Sequence, residues 1–227
     1  WRQRGLREYW NRERSGEDRQ SRLALALGLN ENGWSWQGTS LARQVLAARG
    51  GLWNEALLRA VYPLIYAPVL EHVAEEEGLD PSLMAAVIRR ESQFDREVHS
   101  PVGATGLMQL MPATASEVAR RAQLAEFEQE QLRVPEINMT LGARYLSDML
   151  RRYSGSVAPA LISYNAGPHR YVRWREYPEF RADAELMIER IPFTETRIYV
   201  KTILAYRYIY QRLWGLGAAG GAGLAAR

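Results

Sequence analysis

The sequence predicts an all-α protein, and three observations carry that prediction. Apolar residues recur every three or four positions in one segment after another, as at Leu141, Tyr145, Leu146, Met149 and Leu150; this spacing lines one face of a helix. No stretch of useful length alternates apolar and polar residues as a half-buried strand would. The punctuation is helical as well: at Asp80-Pro81 an Asp can cap and a Pro fits the first turn, while Gly167-Pro168 reads as a stop.

Taken in order, residues 1–60 are rich in Arg, Ala, Leu and Trp, with helical spacing over Leu23–Leu29 and Leu41–Ala48 and loops over Asn30–Gly38 and Gly50–Gly51. They read equally as a helical extension or as the end of a larger helical domain. A denser part begins near Tyr62. A helix runs from Pro81 through Leu83, Met84, Val87 and Ile88 to about Glu91. Ser100–Leu110, with Pro101, Gly103 and Gly106, is a structured loop. Pro112 opens a helix that reaches about Arg121. Further helices are expected over Thr140–Tyr153, Val157–Asn165 and Asp183–Ile191, the last ended by Pro192. A long final helix, capped by Thr194, carries Ile198, Ile203, Leu204, Ile209 and Leu213 on its apolar positions. Gly215–Arg227 is Gly/Ala-rich and reads as a loose tail. The expected domains are 1–61, 62–214 and the tail 215–227.

Composition bounds what such a protein does. The 227 residues are 47% hydrophobic, enough for one large core. There is no cysteine, which removes a disulfide framework and thiolate metal sites. The net charge of +3 comes almost wholly from arginine, interspersed with acids rather than gathered into a stripe, which argues against nucleic acid. No apolar run reaches 18 residues. The chain opens on Trp1 and is read as a processed chain or a fragment, so it says nothing of targeting.

Glu91 stands out chemically. Val87 and Met84, four and seven residues before it, share its helical face, and that face is apolar. Lost solvation favours the protonated carboxyl, and the C-terminal end of a helix disfavours negative charge. Both push its pKa toward the range a general acid uses. An arginine-paired structural acid is the competing reading. Gly106-Leu107-Met108-Gln109-Leu110-Met111-Pro112 combines close backbone approach, an amide and adaptable apolar surface, which suits an acetamido sugar; a core-filling loop explains it as well. Tyr164-Asn165 at a Gly-Pro stop fits either a pocket wall or a plain helix end. Glu195 and Tyr199, four apart, share a face and can jointly orient a catalytic group; an ordinary helix N-terminus is the alternative.

These segments, Glu91-Ser92-Gln93-Phe94, Ser100 to Pro112, Tyr164 to Pro168 and Ile191 to Arg197, occur in this order and at these separations in one family. The chain resembles soluble lytic murein transglycosylases over roughly residues 62–213. The resemblance implies a goose-lysozyme-like α fold, with residues 1–61 as remnant helices of an α-superhelical or linker domain. It implies cleavage of the β-1,4 bond between N-acetylmuramic acid and N-acetylglucosamine, leaving a 1,6-anhydromuramoyl end. By the same resemblance Glu91 is the acid/base, and Ser100 hydrogen-bonds an acetamido group. Met108, Gln109, Tyr164 and Asn165 line the cleft, and Glu195 and Tyr199 lie near the acid. Ser163 departs from the usual alanine and is expected to add a hydroxyl to the wall. No metal or cofactor is implied. The partner is the glycan strand of peptidoglycan, with cell-wall synthases or secretion systems as conceivable protein partners, a monomeric state and a periplasmic location that follows from the substrate. The rivals are a hydrolytic muramidase using Glu195 or Asp95 as a second acid, a non-catalytic glycan-binding or scaffold protein, and a helical interaction module.

Overall fold

A computed structural model describes residues 19–47, 54–124, 127–178, 180 and 184–217. The chain divides into two compact units, Trp1–Ile65 and Tyr66–Arg227.

In the first unit, α1 (Arg19–Glu31), α2 (Ser35–Ala47) and α3 (Glu55–Val61) pack on one another around Ala26, Leu29, Leu41, Ala42, Val45, Leu57 and Val61. The loop expected over Asn30–Gly38 is shorter: α2 already starts at Ser35. Gly38 sits inside that helix because α1 presses against it; a Cβ there would lie 2.3 Å from Asn30 Oδ1. Asn30 Nδ2 in turn donates to the Ala60 carbonyl.

The second unit holds α4 (Ala67–Glu76), α5 (Pro81–Glu91), α6 (Pro112–Arg121), a 3-10 turn (Gln129–Arg133), α7 (Pro135–Arg152), α8 (Val157–Ala166), α9 (Pro168–Trp174), α10 (Ala184–Glu189) and α11 (Thr194–Trp214). There is no strand among the described residues, only bridges of Thr105 to His99 and to Leu110. The all-α prediction is what the molecule has. α5 is buried on all sides from Ser82 to Arg89, which makes it the central helix.

Asp80 starts α5 by accepting from the Ser82 N–H, as the Asp-Pro pair predicts. Its other oxygen accepts from Arg207 Nε at 2.7 Å, far along α11. Burial works to raise the Asp80 pKa, but the bonds from Ser82 and Arg207 prevail and hold it below its ordinary value. The contact fixes an antiparallel pairing: the start of α5 lies at the end of α11, so the end of α5 lies at the start of α11. α7 is anchored to the end of α4, where Arg144 pairs with Glu77 at 2.7 Å and Ser147 donates to the Glu77 carbonyl.

Several boundaries differ from expectation. α7 begins at Pro135 rather than Thr140, because Pro135 fits its first turn. Gly167-Pro168 does end α8, but Pro168 also opens α9. Thr194 is the first residue of α11, not its cap. The cap position is Phe193, which makes no side-chain cap bond; its ring packs edge-on to Trp174 and under the Arg170 guanidinium, and this packing sets the entry to the helix. After α11 the chain stays packed through Gly217: Leu216 is buried, and a Cβ at Gly217 would collide with Asp80. The rest of the expected tail, 218–227, and Asp183 lie outside the described residues.

Candidate active site

Glu91 is the last residue of α5. Met84 and Val87, on the same face, are fully buried, as the periodicity requires. The antiparallel pairing brings the first turns of α11 to it, and the Tyr199 hydroxyl donates to Glu91 Oε1 at 2.5 Å. Burial pushes the Glu91 carboxyl up from an ordinary 4.5 to about 7, against the Tyr199 hydrogen bond and the Arg90 charge, which lower it; Glu195 adds to the rise. Glu91 forms no salt bridge among the described residues, so the structural-pair reading finds no support there. As a residue Glu91 is partly exposed, so access to it is from the surface.

Tyr199 is 1% exposed, and burial raises its phenol well above the ordinary value, with the Glu91 charge adding to the effect. It is therefore a neutral donor at any physiological pH. Tyr164, from α8, is raised in the same way by burial and then by Glu91. Its hydroxyl donates to the Met108 carbonyl at 2.8 Å and its ring packs against Tyr145. Beside it, Asn165 Oδ1 accepts from Thr196 Oγ1 at 2.7 Å, which ties the end of α8 to α11. Glu195 is an exposed first-turn acid of α11. Asp95 binds the Glu97 N–H in its own turn and is not among the charges acting on Glu91.

The loop between α5 and α6 is held by internal bonds. Ser100 Oγ accepts from the Ala104 N–H, and its backbone exchanges further bonds with Ala104 and Gly103. Gln109, with a left-handed φ of 47°, donates its amide to the Val98 and Gly106 carbonyls, leaving Oε1 outside these bonds. Met108 is fully buried, and its side chain packs on Gly142 so closely that a Cβ there would touch Sδ at 2.5 Å. Met108 therefore supports the loop from beneath and offers no side-chain surface. Ser163 is likewise fully buried, and its hydroxyl donates to Tyr153, so it adds nothing to an open wall.

The sequence reading missed Asn138. Its Oδ1 accepts from the Met108 N–H, and its Nδ2 donates to the carbonyls of Thr105 and Leu132, so this one side chain fixes the loop in place. Gly106 is obligatory beside it: φ is 82°, and a Cβ would lie 2.2 Å from Asn138 Nδ2 and from the Leu132 carbonyl. The signal that exposes Glu91, a polar residue on an apolar helical stripe, also marks Asn138 on α7 and Thr196 on α11.

A hollow of about 620 Å³, lined by Arg152, Tyr153, Tyr171 and Phe180, lies at the other end of α8 and includes neither Glu91 nor its partners. No metal-binding group of His, Cys, Asp or Glu occurs among the described residues.

The carboxyl that ends the central helix of this all-α domain has a pKa in the range that a general acid or base uses near neutral pH. A family model described as the transglycosylase SLT domain matches residues 69–187, just over half of the chain. A second, the soluble lytic transglycosylase helical domain, matches 190–218, the part that carries Glu195 and Tyr199. The soluble lytic murein transglycosylases of Salmonella typhimurium and Escherichia coli are each 32% identical over 214 residues, covering 91% of this chain. Among solved structures, an inactive Glu-to-Gln mutant of lytic transglycosylase Slt from Pseudomonas aeruginosa has a TM-score of 0.74 at 33% identity, covering 92% of this chain and 33% of its own. The 70-kDa soluble lytic transglycosylase in complex with bulgecin A has a TM-score of 0.78 at 28% identity, covering 92% and 34%. The chain belongs to the transglycosylase SLT domain family, and it spans about a third of the length of the curated relatives it matches.

Proposed function

We propose that this chain is a peptidoglycan lytic transglycosylase in which Glu91 is the single acid/base. The observation that carries this reading is the Glu91 carboxyl at the end of the buried helix, pushed up to about 7 and gripped by Tyr199. Such a group holds a proton for delivery yet releases it near neutral pH.

In the proposed reaction the 2-acetamido oxygen of N-acetylmuramic acid attacks its own anomeric carbon. Glu91 protonates the departing glycosidic oxygen and becomes a carboxylate. The C6 hydroxyl then attacks the anomeric carbon, expels the acetamido oxygen and gives its proton to Glu91, which restores the enzyme. One carboxyl suffices because the substrate supplies the nucleophile that two-carboxylate glycosidases take from the protein or from water. Tyr199 donates to the carboxylate between the two steps. Ser100, Gln109 Oε1, Tyr164 and Asn165 are the proposed sugar contacts, with Met108 as support beneath them. The relatives' names, which refer to murein, favour the same substrate. That one related structure is an inactive Glu-to-Gln mutant accords with an essential glutamate. We further propose that 1–61 is the end of a superhelical or linker region, that 62–214 is the catalytic domain, and that the site of action is the periplasm, where the substrate lies.

The test is digestion of purified sacculi by the chain and by Glu91→Gln, with mass spectrometry of the released muropeptides. Anhydro ends, one water lighter than hydrolysed ends, are expected from the wild type, with a loss of about 10²–10⁴-fold in Glu91→Gln. Hydrolysed ends would transfer the reading to a muramidase with Glu195 as the candidate second acid. Near wild-type turnover by Glu91→Gln would remove Glu91 from the chemistry.

A further inference from the structure

We infer that Arg90 is a positioning residue for the acid: its guanidinium, lying over the Tyr199 ring beside the Glu91 carboxyl, holds the phenol in place and supports the carboxylate that remains after proton transfer. The inference rests on Glu91 being the acid and adds to it a determinant of when the proton is released.

The geometry has three parts. The Arg90 guanidinium carbon is 5.6 Å from the centroid of the Tyr199 ring, within the range of a cation–π contact. The hydroxyl of that same ring donates to Glu91 Oε1. Arg90 also precedes Glu91 on the last turn of α5, and it forms no ion pair with an acid among the described residues. Its neighbour Arg89 is placed differently: it is buried and lies over the Tyr206 ring. A cation on the face of a phenol draws electron density from the ring and makes its O–H a stronger donor, so Arg90 acts on the carboxylate through Tyr199 as well as directly.

The groups facing Glu91 fall into two opposed sets. Burial and Glu195 on α11 hold the proton on; Tyr199 on α11 and Arg90 on α5 draw it off. Tyr164 on α8 stays neutral. Without Arg90, burial prevails further, and the acid that must later serve as a base keeps its proton to higher pH.

The experiment is the pH profile of kcat/KM on peptidoglycan for the wild type, Arg90→Gln, Arg90→Lys and Glu91→Gln, with thermal midpoints as a control for folding. The working form has Glu91 protonated, so the rate falls along an alkaline limb near pH 7. In Arg90→Gln that limb is expected to move up by about 0.5–1 pH unit, and Arg90→Lys, which keeps the charge, to return it toward the wild type. An Arg90→Gln limb that overlays the wild type overturns the inference, whatever happens to the maximal rate. Equal displacement in Gln and Lys overturns it too, since the charge would not be responsible. If Glu91→Gln turns over, the underlying reading of Glu91 has failed. If Glu91→Gln is inactive and only the Arg90→Gln profile overlays, Arg90 alone has been misassigned.

Discussion

Replacing Glu91 by Gln should stabilise the protein, and by an amount that depends on pH. In the folded chain burial raises the Glu91 carboxyl from an ordinary 4.5 to about 7. Folding therefore takes up a proton between these values, and the stability present below pH 4.5 is lost progressively as pH rises through 7. At about 1.36 kcal/mol per pH unit, a displacement from 4.5 to about 7 amounts to about 3 kcal/mol at pH 8. Gln carries no charge to desolvate and still presents an oxygen to the Tyr199 hydroxyl. The Glu91→Gln variant should thus unfold close to the wild type at pH 4 and later than it at pH 8, by about 6–12 °C for a domain of this size. Thermal unfolding followed by circular dichroism across pH 4–8 measures the difference directly. An offset that is the same at pH 4 and pH 8 would refute the reasoning, because a constant offset reports packing and not the titration of Glu91.

Tyr199→Phe removes the hydrogen bond that favours the carboxylate, so the alkaline limb of the pH–rate profile should move above that of the wild type; an unmoved limb would mean that the bond is not made in the working enzyme. Glu195→Gln removes a charge that holds the Glu91 proton on, so the same limb should move to lower pH. Asn138→Ala strands the Met108 N–H and two carbonyls in the interior and should cost about 3–5 kcal/mol in urea unfolding; a loss under about 1 kcal/mol would show that the loop does not depend on this residue. Gly106→Ala should be similarly damaging, because its methyl would overlap Asn138 and its φ disfavours any side chain.

Much of this site is legible in the sequence because one local rule operates throughout it. A helical stripe of apolar residues interrupted by one polar group marks a polar group that must be satisfied inside, and Glu91, Asn138 and Thr196 each obey it. The rule gives the position but not the partner. That Tyr199 reaches Glu91, that Asn138 clamps the loop around Met108, and that Arg90 lies over Tyr199 follow from contacts between residues 30 or more positions apart, apart from the short step from Arg90 to its neighbour Glu91. Local propensity also misplaces some ends. Phe193 begins α11 without a side-chain cap because Trp174 and Arg170 fix it from another helix, and Ser163 looks like part of a wall until Tyr153 takes its hydroxyl into the core.

In the proposed reaction Glu91 first gives a proton and then takes one, and a carboxyl with both duties cannot be optimised for either alone. Burial by itself would make a strong proton holder and a poor donor; full solvation would leave it ionised and empty at neutral pH. The arrangement around Glu91 is a compromise built from separate elements. α5 supplies the apolar stripe and Arg90, and α11 supplies both the donor Tyr199 and the opposing charge of Glu195. The compromise depends on the register between these two helices, which is fixed at the far end by Asp80 and Arg207. A slip of one turn, about 5.4 Å, would carry Tyr199 out of hydrogen-bond reach and leave the burial of the carboxyl opposed by Arg90 alone. If Glu91 acts as proposed, the far-end ion pair serves the chemistry as well as the fold, since it helps to keep the register that lets one group act twice.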